Sequence, residues 1–344
     1  MKIKMIACAL LTLAALAVFC ACGADESNGN ETESTDESER GMTTDKTETE
    51  EQAEADVTEI ETEAETEETR EEPYKLTDTA QKIDGLIYNE NTGSKLDLYL
   101  PAEDKVPEGG CKAIVFIHGG TWCQGDRTWL SPLMTKWCGE NGVVMLSVDY
   151  LLVGPTHDCG DMLDELVTVF DYIKANAGKM HRDISDGIGV AGHSAGAHLA
   201  LMLAYTKADA CAIPLKAAAA YAPPSCFTLD AGAAGGFINS NPGIIQILSL
   251  LAGENIAGIE DMAKLAKISP SEYVSAESIP TVLVCAAKDT LVLPPINEAF
   301  RAVLDAKGAK YEYFELPNSG HNLENDGDIQ RQSLDALLEM MKVD

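Results

Sequence analysis

GVAGHSAGAHLA, Gly189 to Ala200, is the stretch whose reading decides the fold. It contains Gly192-His193-Ser194-Ala195-Gly196, a G-x-S-x-G string. The apolar run IGVAG before it predicts a buried strand, and SAGAHLALMLAYT after it predicts a helix of small and apolar residues. Two readings are open at this point: small-residue packing that includes a serine, or a serine held on a sharp strand-to-helix turn. Gly192 and Gly196 would allow that turn and a close approach of helix to strand, and Ala195 is small for the same reason. A helix that starts at Ser194 also points its first backbone N–H groups, which have no intrahelical partner, towards any negatively charged oxygen placed there.

Outward from this string, strand and helix patterns alternate. GLIYNENTGSKLDLYL predicts a hairpin, Leu86–Tyr88 and Lys95–Leu100, turned around Asn91-Thr92-Gly93. AIVFIHGG and VVMLSVDY are apolar runs of buried strands, separated by a helical WLSPLMTKWCGENG that stops at Gly142. DMLDELVTVFDYIKANA places Leu163, Leu166, Val167, Phe170 and Ile173 on one helical face. AAAAYAP, PTVLVCAAKD and YEYFELP predict three further strands, with helices at Ile296–Lys307 and Asp328–Lys342. A hairpin followed by repeated β–α units predicts an α/β fold, a mostly parallel sheet covered on both faces. Between Pro223 and Ser269 the pattern loosens. CFTLDAGAAGGFINSNPG is Gly/Asn-rich, IIQILSLLAG predicts a helix, and EDMAKLAK predicts a second short one. This segment is either a small cap over the sheet or a surface excursion.

An α/β sheet displays functional groups at the carboxyl ends of its strands. Ser194 falls at such an end. A serine hydroxyl is a weak nucleophile and needs a base. Of the six histidines, His118, His157, His181 and His193 precede the serine and His198 lies one helical turn after it. His321, in LPNSGHNLEN just past the last strand, alone satisfies the chain order serine, acid, histidine of α/β serine hydrolases. The side chain of His193 is expected to point away from the serine. Asp289 directly follows the strand TVLVCAAK, whereas Asp209, Asp230, Asp261 and Asp305 fall in loops or helices. Asp289 would accept the imidazole Nδ1–H and fix its tautomer. Acyl transfer also needs donors for a developing oxyanion, worth about 2.7–4 kcal/mol each. Gly119 and Gly120 of FIHGGTW, with the N–H of Ala195, supply them.

KLDLYLP, VFIHGGTWCQGDR, VVMLSVDYLL, GVAGHSAGAHLAL, ISPSEYVSAESIPTVLVCAAKDTLV and ELPNSGH resemble the α/β-hydrolase fold. More closely they are similar to the bacterial feruloyl-esterase/carboxylesterase group that carries H-G-G-x-W, over nearly all of 85–325. The resemblance implies Ser194, Asp289 and His321 as a catalytic triad and Gly119, Gly120 and Ala195 as oxyanion donors. It also implies Trp122 and Asp126 as structural supports. There are departures: Thr121 replaces the common third glycine, Leu151 follows Tyr150, and Ala286-Ala287-Lys288 precedes Asp289. The expected activity is hydrolysis of small-molecule or carbohydrate esters, acetyl or feruloyl, with no metal or organic cofactor. The rivals are an amidase, formamidase or peptidase on the same triad, and a non-catalytic carbohydrate-binding surface protein.

The N-terminus is of another kind. Lys2 and Lys4 precede an apolar run, Ile6 to Phe19, of signal-peptide length. Residues 1–22 resemble a bacterial lipoprotein signal, which implies cleavage before Cys22 and lipid on its thiol; the alternative is an ordinary secretory signal. Both export the chain, the first to a membrane-anchored place on the cell surface, with the lipid as its only membrane contact. Residues 23–73 form an acidic Thr/Glu-rich linker, with 21 Asp/Glu against three Lys/Arg. Such a segment has too little to bury and is expected to stay extended and disordered. The chain's net charge of −31 is concentrated there and argues against nucleic acid as a partner. Residues 74–344 form the predicted catalytic domain, with seven cysteines, an odd number without pairing pattern or metal-ligand spacing.

Overall fold

The apolar runs on either side of the serine string cannot leave their backbone or side chains in water, and they pair with one another. The computed structural model describes residues 73–181, 187–228 and 242–342. The predicted signal segment with Cys22, the linker through residue 72, and 229–241 of the Gly/Asn-rich stretch lie outside the described residues. The strands are β1 (Gln81–Asn89), β2 (Ser94–Leu100), β3 (Lys112–Ile117), β4 (Val143–Val148), β5 (Ile188–His193), β6 (Leu215–Tyr221), β7 (Thr281–Ala286) and β8 (Tyr311–Leu316). They form one sheet in the order β1-β2-β4-β3-β5-β6-β7-β8. β2 is antiparallel to both its neighbours, and every pair from β4 to β8 is parallel. This is the mostly parallel sheet of an α/β-hydrolase, as the sequence predicts.

Alternation along the strands divides the core into layers. Val115 and Ile117 of β3 and Val190 of β5 pack with α2 (Cys159–Asn176) and α3 (Ala195–Thr206). Ile114 and Phe116 of β3, Ala191 of β5 and Tyr221 of β6 face the other way, towards α1 (Pro132–Glu140) and α6 (Gly327–Met340). α5 (Pro294–Lys307) lies on the α3 side and buries Phe300 and Leu304 against Leu283 and Cys285. The buried face of α2 carries Val169 where the sequence reading has Val167, and it includes a charge, Glu165. That carboxylate accepts from Asn89 Nδ2 at 2.8 Å and Thr92 Oγ1 at 2.7 Å, which ties the hairpin turn to the helix.

The excursion after β6 contains α4 (Pro242–Ala252), the predicted helix. The second predicted helix is present as a 3₁₀ helix, Ile259–Ile268. Its buried apolar residues Met262, Leu265 and Ile268 recur every third position, the period of a three-residue turn.

A charge cluster around one buried carboxylate holds the antiparallel edge of the sheet to the loop after β3. Asp97 of β2 is fully buried. Arg127 donates from Nε to Asp97 Oδ1 at 2.7 Å and from Nη1 to Asp149 Oδ2 at 3.0 Å. Lys82 Nζ lies 2.9 Å from Asp97 Oδ2, and the Gly85 N–H donates to Oδ1 at 2.9 Å. Burial pushes this carboxyl up, but the bonds from Lys82, Gly85 and Arg127 outweigh it and hold the group below the usual carboxylate range. Asp97→Asn is therefore expected to lower stability at pH 7 by about 2 kcal/mol, the worth of charge-assisted hydrogen bonds to a buried carboxylate. A group with a depressed folded pKa stabilises above its unfolded value and loses that effect as pH falls through the folded one. The gap between wild type and variant in urea unfolding should therefore shrink below about pH 4.

Candidate active site

β5 ends at His193, and the chain turns at Ser194 into α3. Ser194 has φ 55° and ψ −121°, a conformation that L-residues rarely adopt. Its N–H donates to the Tyr221 carbonyl at 2.8 Å, and its carbonyl accepts the first helical bond, from His198 N–H at 3.0 Å. The flanking glycines permit the turn by close approach. A Cβ on Gly192 would lie 2.2 Å from the Gly196 carbonyl oxygen, and one on Gly196 would lie 2.0 Å from that of Ile117. The serine side chain is left partly open to solvent at the carboxyl edge of the sheet.

The parallel register of β7 and β8 brings the other two predicted residues to this edge. Ala286 pairs with Leu316, and Asp289 and His321 follow a few residues beyond each strand. His321 Nε2 lies 2.8 Å from Ser194 Oγ, and His321 Nδ1 lies 2.8 Å from Asp289 Oδ2. Asp289 is buried, and its other oxygen accepts from the N–H groups of Leu291 and Val292 at 2.8 and 2.9 Å. Both carboxylate oxygens are thus occupied and the carboxylate is fixed in place. The histidine loop is organised by Asp326, which the sequence reading does not single out. Its carboxylate accepts from Asn318 N–H, Asn318 Nδ2 and Ser319 Oγ at 2.8, 2.9 and 2.8 Å.

His193, whose side chain the sequence reading sends away from the serine, meets the histidine loop. Its register partner is Tyr221, which packs in the α1/α6 layer, and the β8–α6 connection crosses the same face. His193 Nε2–H donates to the His321 carbonyl at 2.7 Å, with ring centroids 5.0 Å apart. A carbonyl only accepts, so the proton is on Nε2. Desolvation, and then the neighbouring His321, push the His193 pKa down to about 4.

The loop after β3 places Gly119 beside the serine: a Cβ there would lie 3.3 Å from Ser194 Cβ. The Gly119, Gly120 and Ala195 N–H groups donate to no other described group. Two side chains set the direction of the first two through the planar trans peptide, in which N–H and C=O point opposite ways. Tyr150 Oη donates to the His118 carbonyl at 3.2 Å, so it orients the Gly119 N–H. His118 Nδ1–H donates to the Gly119 carbonyl at 2.7 Å, so it orients the Gly120 N–H. The two rings stack at 4.3 Å, and burial keeps His118 below the ordinary histidine range. Gly120 has φ +116°, and a Cβ would lie 2.1 Å from the Gln124 carbonyl oxygen. Thr121 and Trp122 follow with φ 50° and 60°, two consecutive non-glycine residues in left-handed conformation. Asp126 caps its own turn by accepting from Thr128 N–H at 2.8 Å.

Among the described residues no group of three or more His, Cys, Asp or Glu is placed to hold a metal ion. Cys138, Cys159, Cys226 and Cys285 are buried, and burial raises their thiols, Cys159 to about 12 and Cys226 to about 11.

Comparison with known proteins gives the same architecture. The BD-FAE family model matches residues 96–304, more than half of the chain. A probable isoprenylcysteine alpha-carbonyl methylesterase of Oryza sativa subsp. japonica is 28% identical over 120 residues, 35% of this chain and 28% of that protein. The chain thus spans little more than a quarter of that relative. A kynurenine formamidase of Danio rerio is 26% identical over 245 residues, 68% of this chain and 72% of that protein. Among solved structures, a truncated carbohydrate esterase from gut microbiota superposes with a TM-score of 0.62 at 17% identity, covering 79% of this chain and all of that one.

The environments of His193 and His198 have a measurable consequence. His198 is fully buried and its pKa is likewise pushed down by burial, to about 4. Nitrogen-15 NMR of histidine-labelled protein is expected to show both rings neutral, with the proton on Nε2, from pH 7 down to pH 5. Between pH 6.5 and 4 the unfolded chain binds a proton that folded His198 refuses. Stability should therefore fall with pH across that window, by up to about 1.4 kcal/mol per unit for this residue.

Proposed function

The chain belongs to the BD-FAE family, and from that premise we propose that it is a serine-dependent carboxylic-ester hydrolase. The observation that carries the proposal is the unbroken line from Ser194 Oγ through His321 to Asp289, with both contacts at 2.8 Å. In this reading His321 Nε2 takes the hydroxyl proton as Ser194 Oγ bonds to the ester carbonyl carbon. Asp289 holds the ring and stabilises the imidazolium. The carbonyl oxygen, now negative, is met by the N–H groups of Gly119, Gly120 and Ala195. Collapse expels the alcohol, which receives the proton from His321, and leaves an acyl-serine. Water, deprotonated by the same ring, then releases the acid and frees the serine.

For the substrate we propose small to medium carboxylic esters, with acetyl and feruloyl groups on carbohydrate as the first candidates. The resemblance of the HGGTW and GHSAG stretches points to that class. Formamide hydrolysis on the same three residues is the second reading. It is favoured by the kynurenine formamidase relative, which matches over most of both chains. The relative rates on aryl acetates, acetylated and feruloylated oligosaccharides and N-formylkynurenine decide between the two.

Ser194→Ala is expected to lower kcat for p-nitrophenyl acetate by about 10⁶-fold, and Asp289→Asn by about 10⁴-fold. A fluorophosphonate probe should label the wild type at Ser194 and leave Ser194→Ala unlabelled. An unlabelled wild type would replace the enzyme reading with that of a non-catalytic carbohydrate-binding surface protein.

We also propose export, with the mature chain anchored through lipid on Cys22. Cells fed radiolabelled palmitate should incorporate it into the wild type and not into Cys22→Ala. Equal labelling of the two would exclude the anchor.

A further inference from the structure

Thr121 and Trp122 both stand at positive φ, 50° and 60°, immediately after the two glycines proposed as oxyanion donors. Each such residue is strained and persists only where its surroundings over-determine it. Two contacts do so here. The Trp122 carbonyl accepts from Val153 N–H at 2.8 Å. The Trp122 indole, itself buried, donates from Nε1 to His198 Nδ1 at 3.1 Å. His198 Nε2 in turn lies 2.7 Å from the Ile268 carbonyl.

Elementary chemistry fixes every proton in this chain. An indole N–H only donates, so His198 Nδ1 must carry the lone pair, and Nε2 must carry the proton that the Ile268 carbonyl accepts. No other tautomer or charge state satisfies all three groups. The chain joins three elements: the turn after β3, the helix α3 that begins one residue after Ser194, and the last residue of the 3₁₀ coil Ile259–Ile268. Phe227, at the other end of the same excursion, packs edge-on to His198 at 5.5 Å and lies 6.3 Å from Trp122. The two ends of the excursion are also joined to each other: Ser269 Oγ accepts from the Phe227 N–H at 3.0 Å, and Ser271 N–H donates to the Ser225 carbonyl at 3.1 Å.

We propose that His198 is a positioning residue for ester hydrolysis: through Trp122 it holds the Gly119–Gly120 turn aimed at the developing oxyanion, and through Ile268 it registers that turn against the base of the excursion. The inference rests on the esterase reading above. His198 touches no substrate in it. It acts by fixing the indole, and the indole fixes the strained pair that follows the two donors. Loss of the acceptor at Nδ1 leaves a buried indole N–H unsatisfied and frees the turn to relax.

The test uses substitutions that separate the two ring nitrogens. Asn places an acceptor near Nδ1, and Gln places a donor near Nε2. With p-nitrophenyl acetate, His198→Gln is expected to lose kcat by roughly 30- to 100-fold with KM within about twofold, since misplacement of about 1 Å costs about 10²-fold. His198→Asn is expected to keep kcat within about fivefold. Trp122→Phe should match His198→Gln, and the double variant should be no worse than either. Affinity for a trifluoromethyl ketone, whose adduct carries the oxyanion, should fall by the same factor as kcat/KM. Thermal melts of each variant separate folding from function. If His198→Gln melts lower yet keeps its kcat, the residue is core packing and the proposal is overturned. The same follows if KM alone rises, or if Asn and Gln behave alike. The esterase reading is checked separately, by the Ser194 dependence of wild-type hydrolysis, so the two fail independently.

Discussion

The backbone at Ser194 is the constraint on which the site depends. Its φ of 55° with ψ of −121° carries strain on the order of 1–3 kcal/mol, and the sheet and helix on either side must hold it there. The hold is steric as much as hydrogen-bonded. α3 presses so close to β5 and β3 that the crossing admits no side chain at Gly192 or Gly196. From Ala195 to Ala204 every residue of the helix is buried. Because the turn is sharp, the hydroxyl stands at the sheet edge, partly open to solvent. One strained residue thus carries the proposed attacking atom and precedes a proposed oxyanion donor, Ala195, and the register of the parallel strands places Asp289 and His321 relative to it.

Around that turn the fold places four histidines and gives three of them a single protonation state. Burial lowers the pKa of His118 and His198, desolvation and the neighbouring His321 lower that of His193, and each ring donates one N–H to a carbonyl. This matters for the mechanism proposed. A second imidazolium at the His193 position, with ring centroids 5.0 Å from those of His321, would oppose protonation of His321 by about 3 kcal/mol at an effective dielectric constant near 20. In the proposed mechanism a neutral His193 adds no charge that opposes the proton His321 receives from the serine. The three neutral rings position backbone: His193 the carbonyl of His321, His118 the Gly119 peptide, and His198 the end of the excursion.

The sequence exposed those parts of the site that lie at strand ends in chain order. Ser194, Asp289 and His321 each follow an apolar run, and the HGG after β3 could be read in the same way. The continuous apolar runs also predicted a sheet covered on both faces. What they did not reveal depends on which elements meet across the sheet. That the His193 side chain points away from the serine was readable, but the arrival of the β8–α6 connection beside it was not. Asp326 acts on a loop five or more residues back along the chain, and its role follows only from the folded loop. Asp97 is not singled out by the sequence pattern of its strand. It is buried because Arg127, thirty residues on, returns to pair with it. The three-residue period of Met262, Leu265 and Ile268 was present in the sequence and fits a 3₁₀ coil better than an α-helix.

The departure at Thr121 takes on a physical meaning in this setting. The resembling group commonly has a third glycine there, a residue that adopts positive φ without penalty. Here a β-branched residue stands at φ 50°, followed by Trp122 at 60°. A turn built this way cannot rely on its own backbone preferences and must be held from outside. The holding contacts come from Val153 after β4 and from His198 on the nucleophile-bearing helix. Glycine would free the turn from those contacts and also loosen it. The threonine makes the direction of the Gly119 and Gly120 N–H groups a property of the packed core, and through the Ile268 carbonyl the base of the excursion becomes part of that core. The segment that departs most from the regular β–α pattern is therefore bonded to the turn on which the proposed chemistry depends.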